Sequence, residues 1–140
     1  LMTPLQGFDP DKPFSQIGEL IGRELVRMEN GLSEVHFELG DIWLNMQGIL
    51  HGGAFATMLD TACGVAARSV LDMEKYRGQV TLELKTSYLK AGHPGKYIAK
   101  GKVLRMGRSV SFSEAVLLNE QGEEVARASA TFKLLPREAS

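Results

Sequence analysis

The chain lacks most of the features that mark specialised classes of protein. It has a single cysteine, Cys63, so no internal disulfide can form and a reducing compartment is the expected setting. Its three histidines, His36, His51 and His93, stand far apart and have no metal-ligand spacing. Charge is nearly balanced, with 16 Lys and Arg against 17 Asp and Glu, which gives no general pull toward nucleic acid. An anionic ligand would have to be met by locally placed cations. The longest apolar run is interrupted by Asp60 and too short to span a bilayer, and no basic segment followed by an apolar one opens the chain. A cytoplasmic protein with no membrane or nucleic-acid partner is expected. No repeat, low-complexity tract or linker divides the 140 residues, and 44% hydrophobic with 24% charged is the makeup of one domain, 1–140, with room for a core.

What the chain does have is concentrated between Asn45 and Val70. Between Asp41 and Arg68 the only formal charge is Asp60, set in a run of Ala, Phe, Met, Leu, Cys and Val that otherwise reads as a buried helix. Met58, Leu59, Ala62, Cys63, Ala66 and Val70 recur at helical spacing, and the alanines leave a face that can lie close against a sheet. Before the helix, Gly48, Gly52 and Gly53 bracket His51, so backbone N–H groups can approach a ligand where the helix dipole is positive. A carboxylate in such a run calls for a partner or a task, since burying it alone costs several kcal/mol.

The flanking segments read as strands. Pro13 to Ile17 suits a short helix start after an irregular lead-in over 1–12. Residues 21–29 and 32–39 form a hairpin around Asn30 and Gly31, with Val35, Phe37 and Leu39 buried and His36 on the wet side. Residues 72–78 read as a charged connection. Beyond it Val80, Leu82, Leu84 and Tyr88 alternate with Thr81, Glu83, Lys85 and Ser87. Turns at 92–95, 106–108 and 119–122 separate three further strands, one with Val110, Phe112, Val116 and Leu118 on a single face. In the last strand Ala126, Ala128 and Ala130 leave space for a helix, and the tail from Pro136 is expected to fray. The fold class is α+β, an antiparallel sheet wrapped around one long central helix. Because that helix is apolar nearly all round, part of it is available to a second copy.

Helix geometry constrains the chemistry. Nine residues from His51 to Asp60 advance about 13 Å and rotate about 180°, so the two ends of the motif cannot converge within one chain. Two such helices packed antiparallel across a two-fold axis would bring the glycine end of one level with the acid of the other. A backbone N–H could then stabilise an oxyanion while the carboxylate acts on water or attacks directly, which suits hydrolysis of an activated acyl group. Simpler roles exist for each residue: the glycines as a turn into the helix, His51 as a partner of a backbone carbonyl, Asn45 as a cap or turn residue, Asp60 as a structural hydrogen-bond acceptor, Cys63 as a small core residue.

Asn45, then His51-Gly52-Gly53, then Asp60 on the helix, in that spacing, resembles the PaaI-like acyl-CoA thioesterases of the hotdog-fold superfamily. The likeness spans roughly 14–134 and includes the Gly107-Arg108-Ser109 turn and the alanine-rich last strand. It implies a hotdog homodimer, often paired into a homotetramer, that hydrolyses acyl-CoA without a metal or cofactor. It further implies Gly52 as oxyanion donor and Asp60 of the opposite subunit as nucleophile or general base. Asn45 would position water or thioester, His51 would order the loop, and Thr81 would sit at the Ser or Thr position of the following strand. Gly53, Arg108 and Ser109 are assigned to substrate, with Arg105, Lys90 and Lys96 as further candidates for the coenzyme A phosphates. Trp43, Phe55, Met58 and Met73 are candidates to shape the acyl pocket. A non-catalytic acyl-CoA binding protein of the same fold is the alternative, against which Asp60 argues. A hotdog dehydratase would need a paired Asp and His in another pattern.

Overall fold

The computed structural model describes residues 16–138, so the lead-in, the Pro13 helix start and residues 139–140 of the tail lie outside the described residues. A short helix α1 (Gln16–Leu20) precedes a hairpin of β1 (Glu24–Glu29) and β2 (Leu32–Leu39). Asn30 and Gly31 turn it with φ of 51° and 77°, the left-handed pair that a tight hairpin requires. A 3-10 turn over Asp41–Trp43 leads to the long helix α2 (Gly52–Arg68). Four strands follow: β3 (Tyr76–Tyr88), β4 (Gly95–Met106), β5 (Val110–Leu118) and β6 (Glu124–Pro136). They join β1 and β2 in one antiparallel sheet ordered β1-β2-β4-β5-β6-β3. The crossing from β2 to the opposite edge at β3 is made by α2, which the sheet curls around. This is the hotdog arrangement.

Small residues seat the helix. On β4, a Cβ at Gly101 would lie 2.3 Å from the Ala62 carbonyl oxygen, so only glycine lets the helix backbone come this close. Ser33 on β2 completes the contact, donating to the Ala62 carbonyl at 2.7 Å and accepting from the Gly101 N–H at 3.1 Å. Ala126, Ala128 and Ala130 on β6 are buried beneath the helix as their spacing predicts. Phe37, Leu39, Met58, Leu59, Leu117, Val125 and Phe132 fill the remaining core. Truncating Met58 or Leu59, both fully buried, should cost about 2–5 kcal/mol.

Four expectations need correction. The charged connection ends sooner than expected, because β3 already begins at Tyr76. Within β3 the faces are not those of simple alternation. Pairing with β6 shifts between Thr81 and Glu83, so Leu82 is a bulge and the strand changes phase there. Before it, Gln79 and Thr81 align with the buried Leu134 and Phe132; after it, Leu84, Thr86 and Tyr88 align with Ala130, Ala128 and Ala126. Val80 and Leu82 consequently point outward, 47% and 58% exposed, and Thr81 turns toward the helix. On β5, Val110, Phe112, Val116 and Leu118 do share a face, but it is the outer one: Ser111, Ser113, Ala115 and Leu117 are the buried side. The expected fraying from Pro136 does not hold at its start: Pro136 still pairs with Tyr76, and Arg137 donates to the carbonyls of Lys75 and Met73 at 2.9 and 2.7 Å. Among the described residues no helix is long and apolar enough to cross a membrane.

Candidate active site

The loop into α2 is wound around Asn45. Its side-chain oxygen accepts from the N–H groups of Gln47 and Ile49 at 2.9 and 3.3 Å, and its own N–H donates to the Ile49 carbonyl at 2.8 Å. The oxygen is committed to the turn, which leaves the side-chain NH2 without an acceptor among the described residues. His51 caps the helix. Its Nδ1 accepts from the Gly53 N–H at 2.8 Å while its own N–H donates to the Trp43 carbonyl at 2.7 Å. An accepting Nδ1 puts the proton of a neutral ring on Nε2. The ring accepts from an amide instead of donating to a carbonyl, and by doing so it ties the loop to the first turn.

The two glycines are thereby distinguished. Gly53 has given its N–H to His51, whereas the Gly52 N–H, at the first helical position, has no acceptor among the described residues. The Gly52 carbonyl accepts from the Tyr88 hydroxyl at 2.7 Å, which holds the next peptide, 52–53, from the far end of β3. A cavity of about 380 Å³ opens beside it, lined by Asn45, Ile49, Leu50, Phe55, Tyr88 and Leu89 among others. Of the four candidates for an acyl pocket only Phe55 lies here. Met58 is sealed in the core, Trp43 packs against the core with its carbonyl holding His51, and Met73 lies in the turn after α2.

Asp60 lies on the flank of α2 that the sheet leaves partly uncovered, half-buried instead of enclosed. One carboxylate oxygen accepts from the Thr81 hydroxyl at 2.9 Å, and the other has no partner among the described residues. Thr81 reaches it because its pairing with the buried Phe132 puts it on the helix side of β3. Nearby, Gln79 donates to the Gly64 carbonyl at 2.8 Å, a second tie between β3 and the same flank. Cys63, one turn on, is no nucleophile: burial first, then the charges of Asp60 and Glu114, push its thiol from 9.0 to about 12.

Gly52 and Asp60 do not meet. Eight residues of one helix separate them, about 12 Å along its axis, and Asp60 does not line the cavity at Gly52. The turn of Arg108 and Ser109 is fastened at the opening of β3, away from Gly52: the Arg108 carbonyl accepts from Tyr76 at 2.6 Å, and the Ser109 carbonyl from the Leu134 N–H at 2.9 Å. Both side chains are exposed. Lys90, at the Gly52 end, pairs with Glu123. Arg105 and Lys96 are exposed on β4. Among the described residues no group of three His, Cys, Asp or Glu could hold a metal ion. Sequence reasoning missed Tyr88 as a partner of Gly52, because in sequence it carries only the alternation of a strand.

The thioesterase superfamily family model matches residues 47–126, more than half of the chain and the segment that holds His51 to Asp60. The chain belongs to the thioesterase superfamily. Its fold is the hotdog of that superfamily. The medium/long-chain acyl-CoA thioesterase YigI of Escherichia coli is 28% identical over 125 residues, covering 80% of this chain and 81% of YigI. The crystal structure of smu.793 from Streptococcus mutans, bound to acetyl CoA, superposes with a TM-score of 0.74 at 28% identity, over 84% of this chain and 91% of that one. The E. coli PaaI protein from the phenylacetic acid degradation operon shares the fold, with a TM-score of 0.77 at 20% identity, over 86% of this chain and 85% of PaaI.

Proposed function

We propose that the protein hydrolyses acyl-CoA thioesters to the free acid and coenzyme A, at sites shared between two copies of the chain. One observation carries the reading: the unengaged Gly52 N–H at the start of α2 beside an apolar cavity, with a carboxylate held by Thr81 on the open flank of the same helix. The thioester carbonyl accepts from the Gly52 N–H, which stabilises the oxyanion as it forms. Asp60 of the opposing chain takes a proton from the attacking water, or attacks the carbonyl itself to give an acyl-enzyme anhydride that water then opens. In either route the C–S bond breaks, the thiolate leaves and is protonated, and the steps balance without metal or cofactor. The free NH2 of Asn45 positions the water or the thioester, and Gly53 and Ser109 contribute to the substrate surface with Arg108 beside the phosphates. Coenzyme A similarity to the acetyl CoA-bound relative and to YigI supports the substrate class.

The open flank of α2 suits a second copy. Gly53, Thr57 and Thr61 line it, and the two threonine hydroxyls already donate to the carbonyls of Gly53 and Thr57 at 2.8 and 2.7 Å. A partner would bury methyl groups and no unsatisfied hydroxyl. An antiparallel pair of these helices sets Gly52 of one against Asp60 of the other, giving a homodimer with two equivalent sites, or a homotetramer of two such dimers. We place it in the cytoplasm, where a lone free thiol stays reduced.

The test mixes two inactive variants, Asp60→Ala and Gly52→Pro, the second lacking the N–H donor. Each must first be shown to fold and associate. After refolding together at 1:1, about half the dimers are mixed, each with one intact and one doubly damaged site, and activity returns to about a quarter of wild type. Demonstrated mixed dimers that stay inactive would sink the shared site. Tight binding of acyl-CoA with no turnover by the wild type would favour the binding-protein alternative instead.

A further inference from the structure

One wall of the cavity beside Gly52 is a ring held on three sides. Phe55 stands one turn into α2, and side chains on a helix lean back toward its N-terminus, so the ring lies over the turn that begins at Gly52. Tyr88 stacks on it with centroids 5.8 Å apart and 21° between planes, and Tyr97 meets it at 5.9 Å, tilted by 54°. Behind it is Gly92, where a Cβ would lie 2.4 Å from Phe55 Cζ, so the ring edge rests on bare backbone. That backbone is itself fastened, the Gly92 carbonyl accepting from the Leu50 N–H at 2.8 Å. The Tyr97 hydroxyl is fixed by both peptide groups of His93, accepting at 3.0 Å and donating at 2.6 Å. Phe55 is 2% exposed, and drawing the ring back would require the 92–93 backbone to move.

We propose that Phe55 sets acyl-chain length, closing the inner end of the acyl pocket so that the protein prefers short acyl groups and discriminates against long ones. The inference rests on the thioesterase reading, in which the carbonyl carbon sits at the Gly52 N–H. Residues 52 and 55 are neighbours on one helix face, about 5–6 Å apart at Cβ, a distance that about four carbons of an extended chain fill. A longer chain meets the ring and the Tyr88 stacked on it. This sets the chain apart from YigI, whose name specifies medium and long chains.

The experiment measures kcat/KM on butanoyl-, octanoyl- and decanoyl-CoA for wild type, Phe55→Leu, Phe55→Ala and Gly92→Ala, with folding checked by thermal melts. Wild type should favour butanoyl. The decanoyl-to-butanoyl ratio should rise about tenfold or more in Phe55→Ala and by less in Phe55→Leu. Gly92→Ala, whose methyl presses the ring into the cavity, should lower the octanoyl-to-butanoyl ratio. A wild type that prefers decanoyl, or folded Phe55 variants with unchanged ratios, overturns the assignment. If neither Phe55 variant folds, the wild-type profile and the Gly92→Ala ratio decide. A wild type that hydrolyses none of the three overturns the thioesterase reading itself, whereas turnover with no length trend in any variant overturns only the role of Phe55.

Discussion

At the start of α2, the Asn45 side-chain oxygen, His51 Nδ1 and the Tyr88 hydroxyl are spent on the backbone, binding the 47–49 turn, the Gly53 N–H and the Gly52 carbonyl, and the Gly52 N–H is left over. On the flank at Asp60 the division of labour is reversed. The helix backbone is already saturated there, and a side chain presents the free oxygen while another side chain, Thr81, holds it. The contrast has a mutational consequence. A site made of backbone tolerates loss of any one supporting side chain, because the peptide group survives with somewhat poorer placement. A site made of a side chain does not.

The largest effect is expected at Asp60. Asp60→Asn should keep the fold and association but lose about 100-fold or more in kcat, the scale for a missing base or nucleophile. Near-normal turnover would break the contrast at its root. Thr81→Val comes next, with about a tenfold fall in kcat and little change in KM, since a hydrogen bond to a charged group is worth about 1.5–3 kcal/mol. Thr81→Ser should recover most of it. A smaller loss, about two- to tenfold, is expected for Tyr88→Phe, which removes one hydroxyl from the Gly52 carbonyl. If Tyr88→Phe cost as much as Asp60→Asn, the helix start would depend on side chains as heavily as the acid does.

His51→Ala tests the scaffold instead of the reaction. Removing the cap should lower stability by about 1 kcal/mol and the melting temperature by a few degrees, read by calorimetry. The smallest effect belongs to Cys63, one turn beyond Asp60. Its thiol should not react with iodoacetamide in the native protein at neutral pH, and Cys63→Ala should leave turnover unchanged. Between pH 9.0 and about 12 the unfolded thiol ionises while the native one stays protonated, so stability falls as pH rises. Equilibrium unfolding at several pH values should show a steeper slope in wild type than in Cys63→Ala, where burial of the Tyr97 hydroxyl, which also pushes that group up, leaves a smaller one. Rapid alkylation of the folded protein would contradict the burial.

Much of the fold is legible because burial imposes periodicity. Val35, Phe37 and Leu39 on β2, and the alanines of β6, alternate against a covered face and lie where their spacing puts them. The left-handed pair Asn30 and Gly31 marks its turn through backbone sterics alone. Asp60 stands out for the same reason, as a charge in a run that is otherwise apolar. Reading failed on β3 and β5. Apolar residues on those strands face outward while serines and a threonine face the helix, so polarity gave the wrong side.

From sequence alone came the antiparallel sheet around one helix, and His51, Gly52 and Asp60 as exceptions to local pattern, with Asn45 joined to them by the resemblance to the PaaI-like thioesterases. Which N–H is free, which residue holds the acid and what walls the cavity were decided by tertiary structure. The bulge at Leu82 exists only in pairing with β6, and across it both Thr81 and, six residues beyond Leu82, Tyr88 come to face the helix, at Asp60 and Gly52. Contacts of that kind join residues 21 and 36 positions apart, and no local propensity records them.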